Sequence, residues 1–219
     1  MKRKYYDFVM LSFLYEGGIR LKKINWYDGS ELVIKGDSCL NVKKGTKLVF
    51  PETKINGEVW LEAMDVEDII NHARCIKDKD STIPLVCNSI WLDQDRISLF
   101  LQNEALFDKV VILPYKRGRA LDERTFWECY HEILECLHTI PKHKLIIDLI
   151  MATTISASTK TVSSFASIAR TLMFDGYQTL ISLDNYRLHS KDLEKDENLQ
   201  SLSEVLIEND LTYLLGLEG

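Results

Sequence analysis

The chain has 219 residues, of which 46% are hydrophobic and 27% charged, and its formal net charge is -6. That is the composition of an ordinary globular protein, long enough to bury one large core or two small ones. No apolar run approaches the roughly 20 residues that a membrane-spanning helix needs.

The first residues, MKRKYYDFVMLSFLY, start basic and become apolar, as a secretory leader does. Asp7 and Glu16 interrupt the run and no small-residue cleavage site follows, so a buried first strand is the expectation. Residues 1–50 hold ten Lys or Arg against five Asp or Glu, whereas the remainder is acidic. Such asymmetry suggests two regions with different surfaces.

Residues 5–62 read as β-rich. Asp28-Gly29 lies between Ile24-Asn25-Trp26-Tyr27 and Glu31-Leu32-Val33-Ile34, and Asn56-Gly57 precedes Glu58-Val59-Trp60-Leu61. Asp-Gly and Asn-Gly tolerate positive φ, so both pairs predict hairpins and a small antiparallel sheet. Asp65 to Ile76 predicts a helix capped by Asp65, with Val66, Ile69, Ile70 and Ala73 on one face. Thr82 to Leu92 reads as a strand, and Ile97 to Leu106 as a short helix or a further strand.

From Asp108 onward strands and helices alternate. Val110 to Tyr115, Leu145 to Leu149 and Gln178 to Leu183 are the expected strands. Leu121 to Thr139, Val162 to Phe174 and Leu199 to Ile207 are the expected helices. Alternation of this kind implies crossover connections and a largely parallel sheet. The expected architecture is α/β: a β-rich N-terminal region over residues 1–105, then a mostly parallel sheet with helices over residues 108–219.

The five cysteines, Cys39, Cys75, Cys87, Cys129 and Cys136, are odd in number and include no C-x-x-C pair. A reduced, cytoplasmic protein fits them better than a disulfide framework. Cys129, Cys136 and His138, with His131 and His143 nearby, match no established zinc spacing, so no metal and no cofactor is expected. Glu128, Glu132 and Glu135 recur at helical spacing and read as one solvated stripe. The sequence contains no glycine-rich phosphate loop, and a Ser-His-Asp or Cys-His arrangement can be argued only from spatial evidence.

The segment from Lys144 to Asn185 holds a strand, a turn crowded with small hydroxyl residues from Thr153 to Ser158, a helix, the tight turn Asp175-Gly176 and a second strand. In an open α/β sheet the turn beyond a strand's carboxyl end is where ligands and partners bind. With Val110-Val111-Ile112-Leu113, Gly118 and Leu121-Asp122 ahead of it, the second half resembles a STAS domain, the fold of bacterial anti-sigma-factor antagonists. Ser156 stands where that family has an Asp, Ala157 where it has the phosphorylated Ser, and Thr159 where it has a Gly.

The resemblance implies a non-catalytic regulatory module that docks a protein partner through the turn and helix at 153–165. The implied partner is a histidine-kinase-like anti-sigma factor or another signalling protein. Ser156 and Ser158 are the phosphoacceptor candidates, and Asp122, Thr159, Lys160 and Ser163 the partner-docking candidates. Independently of any family, a helix amino end favours anions, and small hydroxyl residues there serve equally as caps.

Two alternatives come from other classes. Aromatic residues among Lys2, Arg3, Lys4, Arg20, Lys22 and Lys23 suggest a nucleic-acid contact, disfavoured because the excess of positive charge is small. The other is an enzyme with its site at the carboxyl edge of the sheet, which a cleft joining His131 or His138 to Asp148 would favour.

Overall fold

A computed structural model describes residues 20–25, 31–119, 123–149, 159–182 and 213–217. Its centre is a closed barrel of eight parallel strands. In chain order these are β1 (Arg20–Asn25), β3 (Ser38–Asn41), β5 (Val59–Glu62), β6 (Leu85–Ile90), β7 (Lys109–Ile112), β8 (Leu145–Asp148), β9 (Gln178–Ser182) and β10 (Tyr213–Leu217). Each pairs with the next, and β10 returns to pair with β1 through Arg20 and Tyr213. Two short strands, β2 (Glu31–Val33) and β4 (Lys47–Val49), form a separate parallel pair. This is the strand arrangement of a (β/α)8 barrel.

Four helices lie among the described residues: α1 (Val66–Lys79), α2 (Gln94–Leu101), α3 (Glu123–Cys136) and α4 (Thr159–Phe174). Each falls between successive barrel strands. The α/β class with a mostly parallel sheet is therefore as the sequence suggested. Asp65 caps α1 as expected, its carboxylate accepting from the Glu67 N–H at 2.9 Å. Val66, Ile69, Ile70, Ala73 and Ile76 bury the inward stripe of that helix. The segment from 94 to 106 resolves into α2 and a 3-10 turn, Glu104–Leu106. The expected helix over 199–207 lies outside the described residues.

The antiparallel sheet expected in residues 5–62 is corrected. Among the described residues, β1 does not pair with β2 across Asp28-Gly29; it pairs in parallel with β3 and β10. Gly57 does adopt the left-handed conformation, with φ of 92°, yet the strand it leads into pairs in parallel with β3 and β6. The physical reason lies in burial. Strands β3, β5, β6 and β8 are covered on both faces, so they carry near-continuous apolar runs instead of the alternation of a half-solvated hairpin.

The strand and helix order behind the STAS resemblance is present over residues 109–182, as consecutive units of the barrel. β6 and β7 pair with one another, so the sheet runs unbroken across the boundary expected near 105–108.

The core has two layers. A large cluster lies between strands and helices, and includes Val59, Leu61, Leu85, Val110, Ile112, Leu145, Ile147 and Ile181. A second cluster takes one residue from each of seven strands: Cys39, Trp60, Val86, Val111, Ile146, Leu180 and Tyr213. These alternate with the outward residues of the same strands, which places them inside the barrel. The Trp60 and Tyr213 rings meet edge to face with centroids 5.1 Å apart.

Beneath that layer, towards the amino ends of the strands, polar groups close the barrel. The Lys109 ammonium lies 2.6 Å from Glu58 Oε1 and donates to the Tyr213 hydroxyl, also at 2.6 Å. The Trp60 indole N–H donates to the other Glu58 oxygen at 3.2 Å, and the Tyr213 hydroxyl donates to Gln178 at 3.3 Å. Burial pulls the Lys109 pKa down, but the hydrogen bonds to Glu58 and Tyr213 outweigh it, and the net shift is upward.

Candidate active site

At the opposite, carboxyl end the interior changes character. Two residues beyond Cys39, Trp60, Val86 and Ile146 along their strands stand Asn41, Glu62, Asn88 and Asp148. Two residues on from the interior layer, strand alternation returns each chain to the interior side, so the inward position directly above that layer is polar on β3, β5, β6 and β8 alike. Asn41, Glu62 and Asn88 are direct register neighbours across three adjacent strands. Asn88 and Asp148 are buried, while Glu62 and Asn41 are partly open.

A hydrogen-bonded chain links three strands. The Asn88 amide donates to Cys39 Sγ at 3.7 Å, and the Cys39 thiol donates to Glu62 Oε2 at 3.6 Å. A thiol is a weak donor and acceptor, so this chain orients groups more than it stabilises them. Chemically the mouth offers two carboxylates able to move protons, an amide to donate to a substrate oxygen, and a wall of apolar residues below. In barrels of this strand order, active sites sit at the carboxyl face, on residues at strand ends.

The residues singled out from the sequence are placed differently. Asp122, Ser156 and Ser158 lie outside the described residues. Thr159, Lys160 and Ser163 occupy the first two turns of α4, which begins three residues earlier than its periodicity suggested. Most of the basic aromatic N-terminal segment is also outside the described residues, and Arg20, Lys22 and Lys23 belong to barrel strand β1.

His131 and His138 are exposed on and just beyond α3, and His131 lines an outer groove of about 510 Å³ with Trp127, Lys142 and Tyr177. Neither histidine joins Asp148, so the cleft imagined for an enzyme is not the one observed. Cys129 is buried beside Arg119, whose guanidinium also reaches Glu132 at 3.1 Å and Glu128 at 3.8 Å. The acidic stripe of α3 is thus partly paired. Among the described residues no group of three or more His, Cys, Asp or Glu is arranged to hold a metal ion.

Asn41, Glu62 and Asn88 were missed from the sequence, and Asp148 entered only as the carboxylate of a cleft with His131 or His138. The signal was available in the strands themselves. VWLE, LVCN, LIID and SCLN each end an apolar or small-residue run on a polar residue, which in a strand covered on both faces demands a reason.

No protein-family model matches the chain, and no curated protein matches it. Among solved structures it is similar to a dihydropteroate synthase from Xanthomonas albilineans in complex with 7,8-dihydropteroate, at 12% identity and a TM-score of 0.47. The match covers 91% of this chain and 87% of that one.

The expectation of a non-catalytic regulatory module docking through 153–165 is corrected. That docking was premised on an open α/β sheet, whereas the sheet of the described residues closes on itself.

Proposed function

We propose that this protein is an enzyme acting on a small polar molecule at the carboxyl mouth of the barrel. One observation carries the reading: four neighbouring or near-neighbouring strands present Asn41, Glu62, Asn88 and Asp148 at one end of the barrel, directly above an apolar interior. A fold alone does not specify a reaction, so the weight falls on these side chains. Glu62 and Asp148 serve as the proton-transferring pair, and Asn88 donates a hydrogen bond to the reacting group. Five cysteines, none of them in a disulfide, support a cytoplasmic setting. No helix among the described residues is long and apolar enough to cross a membrane.

The test is a turnover screen. Purified protein is incubated with pools of small polar metabolites, and conversion is followed by mass spectrometry. Glu62→Gln and Asp148→Asn are expected each to lower turnover by about 100-fold or more, the usual contribution of a general acid or base. Full turnover in both variants would remove the mouth from consideration, as would a ligand whose NMR shift perturbations map to the outer groove of Trp127 and Tyr177.

A further inference from the structure

Arg96 sits in the first turn of α2, and its own N–H is capped by the Asp93 carboxylate at 2.9 Å. Its side chain points away from solvent and only 5% of the residue is exposed. A buried guanidinium ordinarily demands a carboxylate partner. Among the described residues none forms an ion pair with Arg96. Three main-chain carbonyls take that place: Nε donates to Ser89 O at 2.9 Å, Nη1 to Met64 O at 2.8 Å and Nη2 to Ala63 O at 3.1 Å. The planar group lies over the Trp91 ring, 3.6 Å from its centroid.

The acceptors identify what this arrangement does. Ala63 and Met64 directly follow Glu62, the last residue of β5, and Ser89 directly follows Asn88 in β6. One rigid fork therefore spans the carboxyl ends of two adjacent strands, just where each delivers a polar group to the mouth. Burial draws the Arg96 pKa down to about 10, which leaves the charge in place at any ordinary working pH.

We infer that Arg96 is a positioning residue of the mouth: its guanidinium locks the ends of β5 and β6 together and so sets the Glu62–Cys39–Asn88 chain. This rests on reading the mouth as the active site. The two sulfur hydrogen bonds are long, at 3.6 and 3.7 Å, so a displacement of about 0.5 Å at either strand end breaks the chain. Lysine cannot substitute, because a tetrahedral ammonium neither reaches three carbonyls in one plane nor stacks on Trp91 in the same way.

The S–H stretching band of Cys39, isolated by subtracting the infrared spectrum of Cys39→Ser, reports that chain without any substrate. In Arg96→Lys the band is expected to move to higher frequency, towards a thiol without a hydrogen bond, while circular dichroism stays that of the parent. Arg96→Met is expected to do the same if it folds, and Arg96→Lys decides the matter if it does not. A band unmoved in a folded Arg96→Lys overturns the positioning role and leaves the catalytic reading of the mouth standing. Conversely, a band that moves, in a protein whose turnover survives Glu62→Gln, upholds the clamp and removes only the catalytic reading.

Discussion

At the scale of single residues, the position within the barrel wall decides the role of a side chain. Cys39 and Cys87 are both completely buried, yet Cys39 faces the interior and Cys87 the helical layer. Burial pushes the Cys87 thiol from an ordinary 9.0 to about 12, partly offset by the charge of Arg96. Between those values the unfolded chain has lost a proton that the folded chain keeps. Rising pH therefore favours unfolding, and stability present below pH 9 is lost progressively towards pH 12. Cys87→Ala removes this dependence. The gap in unfolding free energy between parent and variant, measured by urea denaturation at pH 8 and again near pH 11, is expected to narrow. A gap that stays constant counts against the buried neutral thiol. Trp60 offers a simpler comparison. It fills the barrel interior against Tyr213, and Trp60→Ala is expected to cost about 3–5 kcal/mol of stability.

At the scale of elements, helices were legible and strand directions were not. The 3.6-residue period of Val66, Ile69, Ile70, Ala73 and Ile76, with Asp65 ahead of it, sufficed to place α1. Its cap makes a specific expectation: Asp65→Ala loses the bond to the Glu67 N–H and destabilises the protein by about 1 kcal/mol in thermal unfolding. A melting curve that coincides with the parent's would show that the cap contributes nothing. Strands lacked such a marker. Gly57 takes a positive φ just as a hairpin glycine would, but it serves a turn into a parallel strand beside Gly36, where an added Cβ would lie 1.5 Å from the Asn56 carbonyl oxygen. Local turn chemistry specifies a bend without specifying the partner reached after it. The candidate site was obscured for the same reason. Asn41, Glu62, Asn88 and Asp148 are separated in sequence by stretches of 20 to 60 residues, and only the register of the strands brings them to one end.

At the scale of the molecule, closure of the sheet couples regions that look separate in sequence. The basic first fifty residues contribute β1 and β3, and the pairing of β1 with β10 joins them to the far end of the chain. The Lys109 network crosses the same divide, tying Glu58 ahead of β5 to Tyr213 in β10. A closed barrel exposes no free edge at which one part can peel away while the other stays folded. Unfolding is therefore expected to be a single transition. It is followed by Trp60 fluorescence, in a variant whose other tryptophans are replaced by phenylalanine, and by amide exchange at 145–148. The two probes should share one midpoint in urea. Lys109→Met removes the ammonium paired with the largely buried Glu58 carboxylate, so the common midpoint should fall in both probes together, by the equivalent of about 3 kcal/mol. Separate midpoints, or a fall confined to Trp60, would mean that the two halves fold as independent units despite the strand pairing that joins them.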